Sequence, residues 1–323
     1  MNDISNYIKN NDNFLLITHK KPDGDALGSI FSLHQALINL GKKSTLFLDE
    51  KFNDEYTSSC FTPYLVEEEL PKLDEFSCCI SLDTSDPRRL GIGETKFKDI
   101  NIPIINIDHH PDNKIFGKLN FINSEIASCA EIVLDLLKIM ELPITKEIAT
   151  TLMLGIVSDS GSFRFNNTKS HTFRNAAQLI AAGANYQDLI KDLYFSKSLK
   201  NLQFESEFIN TELRLAFENQ FAYAYVNPKL LKKYNLKNKE TGPLIDIIRS
   251  IKGVEIAALI TIIEEGKYKF SLRSINTKYS VGEVARSLDG GGHELAAGCA
   301  LEAENLAEVE KILLDKIGEM LNS

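Results

Sequence analysis

Asn106-Ile107-Asp108-His109-His110-Pro111 closes an apolar run that begins at Ile102. Ile102-Pro103-Ile104-Ile105-Asn106-Ile107 reads as a buried strand, because short continuous apolar runs suit strands covered on both faces. An acid and two imidazoles therefore arrive together at a strand tip. Whether they form a site depends on what other strand tips deliver beside them.

Upstream, Phe14-Leu15-Leu16-Ile17, Thr45-Leu46-Phe47-Leu48 and Cys78-Cys79-Ile80-Ser81-Leu82 read as further strands. Between the first two, apolar residues at 26, 27, 30, 33, 37 and 40 predict a helix from Ala26 to Leu40, ended by Gly41. Ile126 to Met140 and Ile148 to Val157 also read as helices. This alternation predicts an α/β fold, a parallel sheet with helices on both faces. From Ala184 to Asn227 there is neither Gly nor Pro, and 196–213 reads as a connecting helix. Beyond it, Phe221 to Val226, Ile256 to Ile263 and Tyr268 to Ser274 read as strands, the last two joined by a hairpin turn at Glu265-Gly266. Leu244 to Ile251, Val281 to Leu288 and Asn305 to Leu321 read as helices. The expected organisation is a parallel-sheet domain over 1–195, the helix, and a smaller α/β domain with a mixed sheet over 214–323.

The chain has 323 residues, 43% hydrophobic and 25% charged, which is ordinary globular composition and enough for two domains. Its net charge of −9 disfavours a sequence-blind grip on long nucleic acid, which needs a basic face. A small anionic substrate stays open, because bound cations reverse the sign of an acidic cleft. Five cysteines, at 60, 78, 79, 129 and 299, include no C-x-x-C, which argues against a disulfide framework or zinc knuckle. The N-terminus starts no signal peptide and no apolar run is long enough for a membrane span, so a cytoplasmic location is expected.

Three more acidic sites share the context of Asp108-His109-His110. His19-Lys20-Lys21-Pro22-Asp23-Gly24-Asp25 follows the first strand and opens the first helix. In extended chain, residues two apart point the same way, so Asp23 and Asp25 can face one point, with Gly24 allowing a sharp turn. The plainer reading is a helix N-cap, but a cap needs one Asp. Asp83 sits where the strand at 78–82 stops; alone, it reads as a turn acid. Asp159 ends an apolar helix, where the dipole disfavours an acid. Loops that follow parallel strands share one sheet edge, so His19, Asp23, Asp25, Asp83, His109 and Asp159 are expected around one cavity. Carboxylates that crowded repel unless cations intervene. Mixed carboxylate and imidazole donors suit Mn²⁺, with Mg²⁺ or Fe²⁺ as alternatives, and disfavour structural Zn²⁺. The chemistry such a set outlines is metal-dependent phosphoryl transfer.

The set His19-x-x-Pro22-Asp23-Gly24-Asp25-Ala26-x-Gly28-Ser29, Asp83, Asp108-His109-His110 and Asp159 resembles the DHH phosphoesterase family. Gly290-Gly291-Gly292-His293-Glu294-Leu295-Ala296-Ala297-Gly298 looks like the glycine-rich signature of the DHH-associated C-terminal domain. The resemblance implies two cations, Mn²⁺ or Mg²⁺: one on His19, Asp23 and Asp83, the other on Asp25, Asp83, His109 and Asp159. It implies that His110 faces the scissile phosphate, that Asp108 orients the histidines, and that Gly290, Gly291, Gly292 and His293 hold the substrate. The glycines are expected to leave backbone N–H groups open in a loop. Arg273 is expected as a phosphate ligand, against an equally good reading as a solvated strand arginine; Arg88, Arg89, Arg164 and Arg286 are weaker candidates. His34 and His171 fall outside the motifs. The compact two-domain form is similar to nanoRNase-type enzymes, which implies short oligoribonucleotides, pApA, cyclic di-AMP or 3′-phosphoadenosine 5′-phosphate (pAp) as substrates, and a homodimer. The competing expectation is an inactive nucleotide-binding regulator on the same scaffold.

Overall fold

The computed structural model describes residues 1–48, 66–67, 69–98 and 100–322; Cys60 lies outside them. The chain forms two compact units, Met1–Ser196 and Lys197–Ser323. The first contains, in order, α1 (Asn2–Asn10), β1 (Phe14–Ile17), α2 (Gly24–Asn39), β2 (Ser44–Phe47), β3 (Val66–Glu67), β4 (Cys78–Leu82), α3 (Gly93–Lys98), β5 (Ile104–Asp108) and β6 (Leu119–Ile122). Four helices complete it: α4 (Cys129–Ile139), α5 (Lys146–Asp159), α6 (Ser170–Ala181) and α7 (Tyr186–Tyr194).

The six strands pair in the order β3-β2-β1-β4-β5-β6, every pair parallel. Alternate residues serve opposite faces, as the period of two requires. Phe14, Leu16, Ile80, Leu82, Ile105 and Ile107 pack against helices α1, α2, α4 and α5. Leu15, Ile17, Phe47 and Cys79 form a second apolar layer with Leu90, Ile92 and Phe97. Strand order reverses between β1 and β4, and in such sheets the ligand crevice opens outside the carboxyl ends of those strands. The turns after β1 and β4, and the end of β5, therefore deliver their side chains to one rim.

Two features depart from the expected elements. Helix α2 starts at Gly24, two residues early, so Asp23 keeps extended backbone as the N-cap while Asp25 lies inside the helix. Gly24 has no left-handed φ; a Cβ there would meet Ser158 Cβ and Oγ at 2.8 Å, so the glycine serves close packing on α5 rather than a sharp turn. Strands β3 and β6 and helices α1 and α3 are additional to the elements expected in this unit.

The second unit holds α8 (Leu199–Glu212), β7 (Leu213–Ala216), β8 (Phe221–Tyr225), α9 (Pro228–Lys233), α10 (Leu244–Arg249), β9 (Ile256–Glu264) and β10 (Lys267–Ser274). It continues with α11 (Val281–Arg286), β11 (Gly291–His293), β12 (Ala296–Glu302) and α12 (Leu306–Leu321). Its sheet, β11-β12-β10-β9-β8-β7, is mixed: β8 and β9 run parallel and the other neighbours antiparallel. Ile256, Ala258 and Ile260 face α11 and α12, whereas Ala257 and Leu259 face α8, α9 and α10. The glycine run is not the open loop expected. Gly291–His293 is an edge strand paired with Ala296–Gly298, and a Cβ on Gly290 would fall 2.4 Å from Gly298 O. Close backbone approach is what demands glycine there. Among the described residues, no helix is long and apolar enough to cross a membrane, and Cys78, Cys79, Cys129 and Cys299 are buried free thiols.

Candidate metal centre

Asp83 is the hub of the rim. It follows β4 with a left-handed φ of 55° and is 2% exposed. That conformation is costly for a residue with a side chain and concentrates at functional positions. Asp83 Oδ2 lies 3.7 Å from His19 Nε2; Asp83 Oδ1 lies 3.4 Å from His109 Nε2 and 3.7 Å from His110 Nδ1. Oδ1 is buried and accepts no hydrogen bond, which is expensive for a carboxylate oxygen unless a cation satisfies it.

Among the described residues, three donor groups share Asp83: one adds Asp108 and His110, and the other two match the expected ligand sets. Ligand atoms of His19, Asp23 and Asp83 fall within 4.8 Å of one another, and so do those of Asp25, Asp83 and His109. Asp159 Oδ2 joins the second group at 3.2 Å from His109 Nε2. The structure thus brings all six expected acids and imidazoles together. Asp23 does two jobs, since its Oδ1 caps α2 by accepting from Asp25 N and Ala26 N at 3.0 and 3.1 Å while lying 4.0 Å from His19 Nε2. The plain N-cap reading and the ligand reading are compatible.

Imidazole orientation is set from behind. His19 Nδ1 lies 2.8 Å from Lys20 O; a carbonyl only accepts, so Nδ1 donates and Nε2 is the nitrogen that faces the acids. His110 Nδ1 donates to Asp108 Oδ1 at 2.8 Å, and Asn113 Nδ2 donates to Asp108 Oδ2 at 2.6 Å. Asn113 also reaches Asn106 Oδ1 and Thr84 O at 2.9 and 3.2 Å, tying the β4 and β5 tips together. Sequence reasoning did not single out Asn113; an Asn in a Pro-Asp-Asn segment reads as a turn.

Asp25 has an unexpected support. Its Oδ2 accepts from Cys129 N at 2.6 Å and its Oδ1 from Ala130 N at 2.9 Å, so the N-terminus of α4 holds this fully buried carboxylate with its N–H groups and dipole. Ser128-Cys129-Ala130-Glu131 carried a signal for it: S-x-x-E marks a helix start, and Ser128 Oγ caps Glu131 N at 3.3 Å. Helices α2 and α5 meet backbone to backbone beside it. A Cβ on Gly28 would lie 2.4 Å from Thr151 O, and one on Gly155 would lie 2.7 Å from Asp25 Oδ1.

Electrostatics agree with a cation-seeking site. Burial, then Asp83 and Asp159, push Asp25 well above the usual carboxylate range. Burial opposes ionisation of Asp83 too, but the His109, His19 and His110 imidazoles beside it outweigh burial and hold Asp83 low. Burial likewise works against protonated His19, yet Asp83 and Asp23 raise it to about 9. Without metal, protons on the imidazoles supply the positive charge that the acids require.

Several other candidates have partners of their own. Arg88 is engaged by Asp86, with Nη2 to Oδ2 at 2.6 Å. Arg164 Nε donates to Gly161 O at 2.6 Å. His34 meets Ser44 Oγ at 3.0 Å, and His171 starts α6 with Nε2 3.3 Å from Asp135. Arg273, on β10 opposite Ala296, donates from Nη1 to Leu272 O at 3.0 Å. It belongs to the second unit, as do Gly290, Gly291, Gly292 and His293.

Residues 13–156 match the DHH family, N-terminal domain, and residues 218–319 match the DHHA1 domain. A Thermus thermophilus protein named bifunctional oligoribonuclease and PAP phosphatase NrnA is 31% identical over 312 residues, spanning 95% of this chain and 89% of its own. The chain belongs to the DHH family. A Streptococcus mutans protein named as a probable enzyme of the same kind is 30% identical, with 94% of each chain covered. Among solved structures, an exopolyphosphatase-related protein from Bacteroides fragilis superposes with a TM-score of 0.86 at 21% identity, covering 98% of this DHH chain and 95% of its own; that likeness concerns the fold. Two donor groups joined by the Asp83 carboxylate, whose buried Oδ1 accepts no hydrogen bond, fit the divalent cations on which DHH phosphoesterases depend.

Proposed function

We propose that this DHH protein is a phosphodiesterase of short oligoribonucleotides and dinucleotides, pApA first, that also removes the 3′-phosphate of pAp and accepts cyclic di-AMP. The observation that carries this reading is Asp83, shared by two donor groups and left with a buried oxygen that accepts no hydrogen bond. Supporting it are the names of the Thermus and Streptococcus relatives, each similar over nearly its whole length.

In this reading His19, Asp23 and Asp83 hold one divalent cation, and Asp25, Asp83, His109 and Asp159 hold the other, with Mn²⁺ preferred over Mg²⁺. When bound, such a pair supplies a hydroxide nucleophile at neutral pH and neutralises phosphate oxygens. The chain's own residues do the rest. His110, kept protonated at Nδ1 by Asp108, points its remaining nitrogen at a phosphate oxygen and donates to the charge that grows there. Burial works against its imidazolium, but the bond to Asp108 raises its pKa, which favours the donor form. Asp108 is a positioning residue, held in turn by Asn113. Arg273, His293 and the outer edge of β11 at Gly291–Gly292, with Gly290 beside it, contact the rest of the substrate; edge-strand N–H groups take the place of the expected loop. The domain roles follow: metal chemistry on the first unit and substrate contacts on the second, to which α8 belongs. We place the protein in the cytoplasm, as a homodimer.

The test is a panel of pApA, pAp, cyclic di-AMP and longer RNA, each with Mn²⁺, compared by kcat/KM. Release of AMP from pApA is expected. Folded, metal-loaded protein that turns over none of the short substrates refutes the reading and favours the inactive nucleotide-binding regulator, although no expected metal ligand is replaced in this chain.

A further inference from the structure

The loop leaving Asp159 carries a pair of aromatic rings that the metal chemistry does not use. Gly161, Ser162 and Phe163 take left-handed φ values of 55°, 58° and 65° in succession, an expensive conformation for a bulky residue. Ser160 pins it: Ser160 Oγ accepts from Phe163 N at 3.0 Å, and Ser160 O accepts from Arg164 N and Phe165 N, each at 3.0 Å. Asn167 closes the loop back onto the rim, donating to Asp159 O at 2.9 Å and Ala127 O at 3.2 Å. The outcome is that Phe163, packed on the core, stacks on Phe173 of α6, with centroids 5.2 Å apart and planes 21° from parallel. Phe173 stays 55% exposed. Beside them the Arg164 guanidinium lies over the Tyr194 ring, 5.6 Å from its centroid.

We propose that Phe173, with Phe163 beneath it, is a stacking shelf for a nucleobase of the substrate; this rests on the phosphodiesterase reading and adds a base-binding subsite to it. A flat exposed ring held rigid by a second ring is preorganised for a third flat partner. Every base offers a π-face, so such a shelf binds without sequence preference. Its occupant is a base rather than a second copy of the chain because the supporting ring, Phe163, sits on the loop that begins at a metal-site acid, and Asn167 fastens that loop to the acid's carbonyl. Arg164, next to Phe163 in the chain, adds positive charge for an anionic substrate.

Full-length Mn²⁺-loaded protein is assayed on pApA and on analogues with an abasic ribose at either position. Phe173→Ala is expected to raise KM for pApA about 5- to 150-fold, the range of one base–aromatic stack, with kcat within about twofold by the same account. The KM advantage of pApA over one abasic analogue is expected to collapse. Phe173→Leu, which keeps apolar bulk without a ring, is expected to behave like Phe173→Ala, and Phe173→Trp to restore the advantage. The chain has no tryptophan, so Phe173→Trp is also a lone fluorophore. A methylphosphonate-linked ApA, which is not hydrolysed, is expected to quench it and the matching abasic analogue is not. Equal quenching by both, an unchanged KM advantage in Phe173→Ala, or wild-type behaviour of Phe173→Leu would each overturn the shelf. So would a change in sedimentation mass in Phe173→Ala with the KM advantage intact, which would assign the ring to a contact between copies. Failure of the wild type to cleave pApA sinks the phosphodiesterase reading, while the quenching experiment still decides the shelf.

Discussion

Asp83 concentrates the chemistry into one side chain. Its carboxylate is buried, its backbone sits in the left-handed region, and His19, His109 and His110 approach it from three sides. Asp83→Asn keeps the shape and tolerates the backbone, since Asn visits that region readily, but it removes the shared charge. Activity on pApA is expected to fall at least about a hundredfold, beyond what outer partners of a metal site cost, with Mn²⁺ binding lost by calorimetric titration. Asp108 acts through His110, so Asp108→Asn is expected to lower kcat by about 10- to 100-fold while Mn²⁺ affinity holds. Loss of Mn²⁺ binding in Asp108→Asn would make it a ligand instead.

At the scale of the element, α2, α4 and α5 share one glycine-lined contact whose purpose is to seat Asp25. Gly155→Ala places a methyl 2.5 Å from Ala130 Cβ and 2.7 Å from Asp25 Oδ1. Overpacking of that kind costs about 1–3 kcal/mol, and urea unfolding with a Mn²⁺ titration is expected to show both lower stability and weaker metal binding. Gly242→Ala, where an added Cβ meets nothing within 4 Å, is the matched control and is expected to be neutral. One turn into α4, Glu131 is fully buried and takes hydrogen bonds from Thr172 and Asn175 of α6, each at 3.0 Å. Burial nevertheless raises its pKa above 4.5. The folded protein therefore holds a proton that the unfolded chain releases, so this group adds stability below pH 4.5 that is lost as pH rises through its raised pKa. Glu131→Gln is expected to flatten that part of the stability–pH curve; an unchanged slope would refute the assignment.

The whole molecule couples folding to cation binding, because the six ligand side chains come from β1, α2, β4, β5 and α5 and meet only in the native state. Mn²⁺ at a hundredfold excess over Kd stabilises by about 2.7 kcal/mol per site, roughly 5–10 °C in Tm for a unit of this size. EDTA is expected to reverse the gain in a thermal melt, and a Tm indifferent to Mn²⁺ would deny the site. The acids at 23, 83, 108 and 159 were legible from sequence because each stands where an apolar run stops or a helix begins or ends, and burial leaves that local imprint. Period alone also located β1, β2, β4, β5, α2, α4 and α5. The order β3-β2-β1-β4-β5-β6, which sets the β1 and β4 tips side by side, left no such imprint, since side-chain periodicity reports which face is buried and not which strand lies alongside. The same holds for the α4 N-terminus that grips Asp25 from 104 residues away, and for Gly290–Gly292, which looked like an open loop and is fixed instead by backbone packing on β12. Sequence by itself determined the kinds of ligand and where the chain exposes them; tertiary structure alone decided which of them meet, because contacts between segments far apart in the chain depend on the packing of whole layers.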